Sequence, residues 1–390
     1  MSNANQAGGP ASYTLWQLTR YFLRLGTLGF GGPVALVGFM HRDLVDGRMW
    51  FSEGDYKEGL ALAQIAPGPL AAQLAIYLGF VHHRILGATV AGLAFVIPSF
   101  LMVVGLGMAY VSYGGLPWMQ AVFYGVGAAV LGIMAIGAHK LSTKNIGKDR
   151  LLWVIFAVLA TVTIVTQSEI AWLFIASGIL VWVVRCKPKF GNASWAGAMP
   201  TQLPHAFALI ADPSLVVQIG IFFAKAGAFV FGSGLAIVPF LYGGVVTEHQ
   251  WLNDRQFVDA VAVAMITPGP VVITTGFIGY LIAGLPGAGI AAAATFLPCY
   301  LITVVAAPHF KKWGKHPGVI AFVDGITAAA IGAIAGSVVV IAQRTITDTA
   351  TAVLAVSATA LLWRFKKIPE PFVVFGAALI GLAVFPLTHP

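Results

Sequence analysis

The sequence predicts an all-α polytopic membrane protein made of two inverted-topology repeats, with about ten transmembrane helices plus re-entrant or broken helices. Three observations carry this. The 390 residues are 58% hydrophobic and only 9% charged, where soluble domains carry roughly a quarter. The chain matches itself when slid by 201 positions, so that Trp50 falls on Trp251. Both copies interrupt apolar runs with clustered glycine and proline, the poorest helix residues.

Apolar runs occur near 13–40, 57–81, 85–110, 117–138, 151–166, 169–184, 215–240, 256–283, 286–307, 318–342, 347–363 and 371–387. A crossing helix needs about 20 residues. This many runs suits a transporter, channel or membrane enzyme. The N-terminal "MSNANQAGGPASYT" has no charged n-region and no cleavage site, so a cleaved signal peptide is not expected. Cys186 and Cys299 form neither a disulfide framework nor a metal motif. The net charge of +8 falls mostly in short loops, which records orientation rather than nucleic-acid binding. The organisation read from the sequence is a first repeat at 1–185, a cytoplasmic linker at 186–214 and a second, inverted repeat at 215–390.

"RLGTLGFGGPVALVGFM" (24–40) lies on "KAGAFVFGSGLAIVPFL" (225–241), and Pro67-Gly68-Pro69 lies on Pro268-Gly269-Pro270. Between 24 and 69, 14 of 46 positions are identical to those 201 residues later. Two merely similar apolar helices do not align Trp and Pro-Gly-Pro, so the match marks a repeat. With one residue slipped, Pro98 meets Pro298.

Loop charge gives the relative orientation. In the first half, basic residues follow the second apolar segment (His82, His83, Arg84), the fourth (Lys140, Lys144, Lys148, Arg150) and the sixth (Arg185, Lys187, Lys189). In the second half they follow the third (Lys311, Lys312, Lys315) and the fifth (Arg364, Lys366, Lys367). Equivalent loops therefore face opposite sides, an inverted repeat of the kind found in secondary transporters. Inversion needs an odd number of crossings per half. One of the two opening segments of each half is expected to be re-entrant, giving ten crossings and both termini outside.

Irregular backbone at membrane depth survives only against protein or a wet cavity. Half-helices begun there aim N–H groups and the positive dipole end inward, which suits an anion. The candidate substrate positions are therefore Gly31, Gly32, Pro33, Pro67, Gly68, Pro69, Gly232, Ser233, Gly234, Pro268, Gly269 and Pro270. Gln73, Thr267 and Thr274 lie beside the breaks. Their polar groups suit an oxyanion, or equally the backbone groups freed by proline. Arg24 and Lys225 align, each within an apolar run a few residues before a break; intramembrane cations are costly and usually functional, though a long side chain also reaches the headgroups. Glu58 and Asp259 align too. A capping or first-turn role competes with proton coupling. Ser52-x-x-Asp55 and Asn253-x-x-Gln256 read as helix starts. No HExxH, Cys/His cluster or G-x-S-x-G elbow is present in the sequence, so no enzyme, metal or cofactor is expected.

"GFGGPVALVGFMHRDLV…W" with "LALAQIAPGPLAAQLAIYLGF", then "FVFGSGLAIVPF…W" with "MITPGPVVITTGFIGY", resembles the chromate ion transporter family, in its long two-domain form. The resemblance implies a chromate efflux carrier in the cell inner membrane, driven by the proton-motive force or membrane potential. Sulfate, a like-shaped oxyanion, is the expected competitor. It carries over the FGGP-type and PGP positions already given. Where the first half has Gly-Gly-Pro, the second has Gly-Ser-Gly. The expected mechanism is alternating access around a divalent tetrahedral oxyanion. The alternatives are a carrier of sulfate or another small anion, and an anion channel. The expected partners are the oxyanion and the lipid bilayer, with a homodimer as the candidate assembly.

Overall fold

The computed structural model describes residues 12–30, 32–113, 117–166, 171–187, 214–228, 230–232, 237–310, 316–365, 368 and 370–388. The chain opens with α1 (Leu15–Leu28) and α2 (Gly32–Met40), which runs into a π-helical stretch, His41–Gly47. Then come α3 (Glu53–Ile65), α4 (Leu70–Tyr113), α5 (Pro117–Asn145), α6 (Arg150–Thr166) and α7 (Ala171–Cys186). The second half repeats the order: α8 (Leu215–Ala228), α9 (Ile237–Tyr242) with a π-helical stretch Gly243–Glu248, α10 (Asp254–Ile266), α11 (Thr274–Ala306), α12 (Pro317–Thr345), α13 (Thr349–Arg364) and α14 (Glu370–Thr388).

The repeat is written in the backbone as well as in the letters. Met49 and Gln250, 201 residues apart, both have φ 52. Ser52 Oγ accepts from Asp55 N at 3.0 Å, and Asn253 Oδ1 accepts from Gln256 N at 2.8 Å. These are the helix starts expected from sequence, each satisfying an otherwise orphaned N–H.

α4 is a hairpin of two arms, 70–83 and 85–113, joined at Arg84, whose φ is 53. A methyl group on Gly79 would overlap the Gly87 carbonyl. α11 does the same at Ala283 and Gly284.

Packing contacts fix the directions of the opening helices. Tyr13, before α1, stacks on Trp50 at 4.9 Å and lies 2.7 Å from His82 at the α4 turn. Arg48 lies over the Tyr21 ring, so α2 doubles back along α1. Gly59 meets Tyr77, so the short arm of α4 doubles back along α3. The two opening segments of each half are thus paired arms that turn at mid-depth. Re-entry is more extensive than the single re-entrant segment per half expected from sequence.

The long arms of α4 and α11 are repeat equivalents, and they run antiparallel: Thr89 reaches Tyr300 at 2.6 Å, while Phe100 lies against Gly276 of the short arm, one turn from the Gly279 that packs on Gly287 at the start of the long arm. Antiparallel equivalents require a pseudo-twofold axis across the helices, which is the inverted topology. Among the described residues, five helices are long and apolar enough to span a bilayer, and α6, α7, α8 and α13 are shorter apolar helices. Wide apolar faces, among them Leu101, Val154, Val165, Phe372 and Phe375, are exposed, as lipid contact demands.

Charge separates the two ends. His82, His83, Arg84, Lys144, Lys148, Arg150, Arg185 and Arg364 share one end, tied together by the His139–Trp363 ring contact at 4.7 Å and by Arg185. Arg185 reaches Asp149 at 2.7 Å and Asp324 at 2.5 Å, joining α6, α7 and α12. Its hydrogen bond holds the Asp149 carboxyl below the ordinary carboxylate range.

α1 starts at this basic end, and α14, antiparallel to α5 through Gly125 and Gly381, finishes at the opposite end. The two termini therefore do not share the outer side that the sequence-based count implies, because both opening segments return to where they began. α7 lies antiparallel to α12 (Trp182 beside Gly318) and ends at the basic end. α8 lies parallel to the long arm of α11 (Gly220 beside Ile290, Gly227 beside Thr295) and starts at the opposite end. Nearly all of the linker expected at 186–214 is outside the described residues.

A Cβ on Gly125 would overlap the Ala377 carbonyl, whereas Gly105 has open space around it. Gly125→Val is expected to destabilise the α5–α14 contact by about 1–3 kcal/mol, and Gly105→Val to change little. Thermal unfolding of the two variants in detergent checks this; equal midpoints would contradict the packing.

Candidate oxyanion site at the helix breaks

The four turning points meet tip to tip. Gly269 N donates to Gly29 O at 3.0 Å, and Gly68 N donates to Val230 O at 2.5 Å. At the 201-residue offset these are the same hydrogen bond made twice, once from each repeat. Gly68–Pro69 also pairs in parallel with Phe231–Gly232. Carbonyls at the ends of α1 and α8 have no partner in their own helix. They find one in the other half of the molecule.

Gly68 and Gly269 have φ of +142 and +97, a region L-residues rarely enter. Each also lies under a side chain from the other repeat. A Cβ on Gly269 would overlap Ser99 Oγ, and one on Gly68 would overlap Cys299. Ser99 and Cys299 follow the matched prolines Pro98 and Pro298 directly. Sequence reading aligned those prolines and passed over the next residue, where the signal stood. Ser99 Oγ donates to Gly26 O at 3.2 Å.

Helices leave the tips with their N-termini at mid-depth: α2 at Gly32, the short arm of α4 at Leu70 and α11 at Thr274. Pro33 lies in the first turn of α2. Pro67, Pro69, Pro268 and Pro270 bracket the tip glycines, and Pro270 O accepts from Ile273 N at 3.0 Å. Gly232 lies in the paired strand. Gly31, Ser233 and Gly234 lie outside the described residues.

The hydroxyls beside the second break serve the backbone. Thr267 donates to Val263 O at 2.7 Å, Thr274 to Val271 O at 2.7 Å and Thr275 to Val272 O at 3.1 Å. These are bonds to carbonyls of the threonines' own turns, and Val263 O also accepts from Thr267 N at 3.1 Å. Gln73 is 0% exposed, and its Nε2 donates to Pro67 O at 2.7 Å.

Arg24 is exposed on the wall of a cleft of about 660 Å³ that runs between α1 and α2. The cleft is lined at its outer end by Arg48 and Gly47, along its wall by Arg42 and Tyr21, and at its inner end by Gly29. Asp43 lines it too, paired with Arg42 at 3.1 Å. Three guanidinium groups against one carboxylate make it an anion-attracting passage. Lys225 is exposed on α8, which enters from the other end, so the two cations face separate approaches. Around Lys225 the positions of Arg42, Asp43 and Arg48 are Gly243, Gly244 and His249. Phe222 fills that surface, packed on Gly244 and 5.7 Å from both His249 and Trp251.

The aligned carboxylates also differ. Glu58 is half-buried and hydrogen-bonded to Tyr77. Asp259 is 3% exposed and accepts from Tyr110 Oη at 2.7 Å. It lines a second cleft, of about 590 Å³, at the opposite end, with Arg255 and Arg344 on its wall. Tyr110 comes from the first repeat and was not singled out from sequence, since its partner is 149 residues away. No group of three or more metal-ligating side chains occurs among the described residues.

Gly269→Ala adds an unfavourable φ of about 1–2 kcal/mol to the overlap with Ser99. It is expected to lower the thermal midpoint clearly, and Ser99→Ala in the same chain to restore only part of the loss. Wild-type stability of Gly269→Ala would refute the tip geometry.

The model of the chromate transporter family matches the chain twice, at residues 16–182 and 217–382. A chromate transport protein of Cupriavidus metallidurans is 68% identical over 97% of this chain and 95% of its own length. A probable chromate transport protein of Synechococcus elongatus is 59% identical over 95% and 96%, and a chromate transport protein of Pseudomonas aeruginosa is 31% identical over 97% and 94%. No solved structure matches. With both repeats matched and near full-length relatives at this identity, the chain belongs to the chromate transporter family.

Proposed function

We propose that the chain exports chromate from the cytoplasm across the inner membrane as a secondary carrier. The basic end faces the cytoplasm, because short loops rich in Lys and Arg stay inside. Chromate enters the arginine-lined cleft of the first repeat and is drawn to the tips, where helix N-termini favour negative charge. Arg24 is the cation of this approach nearest the break in sequence. Lys225 is the matching cation of the exit.

The observation that carries this reading is the cross-repeat pair of hydrogen bonds, Gly269 to Gly29 and Gly68 to Val230. Two equivalent half-sites, entered from opposite ends and joined at one point, suit rocking of one repeat against the other. A cleft reaches the tip from the basic end at Gly29, while Phe222 fills the equivalent surface of the second repeat. On this reading the cleft belongs to a cytoplasm-facing state. Asp259, buried beside Tyr110 at the outward cleft, is the candidate coupling carboxylate.

Everted vesicles containing the protein are expected to take up labelled chromate saturably, with sulfate as competitor. Separate collapse of the pH gradient and of the potential identifies the driving force. Uptake no greater than in empty vesicles, with folded protein present, would overturn chromate as the substrate. Ohmic currents with turnover far above a carrier's would replace the carrier with a channel.

The Arg24→Ala/Lys225→Ala double variant is expected to raise the KM for chromate roughly tenfold at low salt, with the difference shrinking as ionic strength rises. Unchanged transport in folded double variant removes this pair from the mechanism.

A further inference from the structure

Among the described residues, Gln73 is the one buried side chain at the tips whose hydrogen bonding is half complete. Its amide is fully buried. Nε2 donates to Pro67 O at 2.7 Å. A carbonyl can only accept, so this contact fixes which end of the amide is nitrogen. Oε1 then points away from Pro67, and it has no hydrogen-bond partner among the described residues. An orphaned acceptor in a buried position is costly. It sits in the first turn of a helix that starts at the break. A Cβ on Gly68 would meet both Gln73 and Cys299, which places Gln73 directly on the tip.

The unmet need at this point is for a donor. A fully deprotonated tetrahedral oxyanion has only acceptors, and its oxygens would be repelled by Oε1. A protonated one carries a hydroxyl. Charge points the same way. The buried polar residues near the tips are Gln73, Ser99, Thr267, Thr274 and Thr275, and no Lys or Arg is buried among the described residues. Ion dehydration cost rises with the square of the charge, so a monoanion costs about a quarter of what a dianion costs to bring here. At the repeat offset Gln73 becomes Thr274, whose hydroxyl donates to its own helix. Only the first repeat offers this acceptor.

We propose that the species bound at the tips is the singly protonated oxyanion, and that Gln73 Oε1 accepts its hydroxyl hydrogen. The proposal rests on the reading of the chain as a chromate carrier and refines the substrate from dianion to monoanion. It also supplies a basis for selectivity. Chromate takes up a proton near neutral pH, whereas sulfate does so only in strong acid. Sulfate then leaves Oε1 unpaired, and a site built to bond a hydroxyl rejects the analogue that lacks one.

The titratable groups near Gln73 are the Cys299 thiol from α11 and, one turn along, Tyr77 with Glu58 from α3. Glu58 and the distant Asp259 can impose a pH dependence of their own. The readout is therefore the chromate-over-sulfate preference, compared between the unaltered chain and variants. Uptake of labelled chromate and labelled sulfate is measured in everted vesicles from mildly acidic to mildly alkaline pH.

The unaltered chain is expected to prefer chromate, increasingly so as pH falls. Gln73→Met, similar in volume, is expected to lower kcat/KM for chromate by at least about tenfold and to flatten the preference. Gln73→Glu, which when protonated restores both a donor for Pro67 O and an acceptor for the ligand, is expected to regain the preference only at the acid end. It also serves if the methionine variant fails to fold. Equal competition by sulfate in the unaltered chain, or an unchanged preference in either folded variant across the pH range, overturns the proposal while chromate transport itself stands. Absence of chromate uptake by the unaltered chain removes the function reading and this one with it.

Discussion

Backbone that turns at mid-membrane depth has no water to bond to, and each unmatched group there costs several kcal/mol. This chain turns four times at that depth. The two tips of each half cannot satisfy themselves, because proline removes donors on both sides of Gly68 and Gly269. They are completed by the other half: Gly269 to Gly29 O, Gly68 to Val230 O, and two-residue strand pairing beside the second of these. The long, tightly packed arms of α4 and α11 hold the tips in register. Neither repeat is structurally complete alone, which is a physical reason for one chain to carry both.

The same constraint makes the joint a place for function. A site whose backbone is already organised needs few charged side chains, and few are found there. Charge is placed farther out, on Arg24, Arg42 and Arg48, where water still solvates it. Attraction and recognition are thereby separated. Under the proposed function the outer cleft raises the local anion concentration, and the tip, neutral and dry, selects. The repeats have diverged between these tasks: three arginines line the first approach, while Phe222 fills the second.

Much of this was legible in the letters. The 201-residue offset, the glycine and proline breaks, the two helix starts at Ser52 and Asn253 and the inversion all follow from composition, alignment and loop charge. What was not legible is where the opening segments return. Residues 13–40 form one apolar run long enough to cross, and the contacts of Tyr13 with Trp50 and of Arg48 with Tyr21 show that the chain doubles back. Composition is blind to that choice, because an apolar arm is apolar whether it crosses or turns. Cross-repeat partners such as Ser99 with Gly269 and Tyr110 with Asp259 were hidden for another reason: their proximity exists only once the halves are packed antiparallel.

The aligned pairs show how an inverted repeat can become directional. With perfect symmetry the inward and outward states would be equivalent by the twofold rotation, and nothing in the protein itself would distinguish export from import. Here Glu58 is half-buried beside Tyr77 of its own repeat, whereas Asp259 is buried beside Tyr110 of the other. The rocking proposed above would leave the first contact intact and strain the second. Thus Asp259, and not its aligned partner, is held by a contact that spans the two repeats, and under the proposed function it is the carboxylate whose surroundings would change with the transport step.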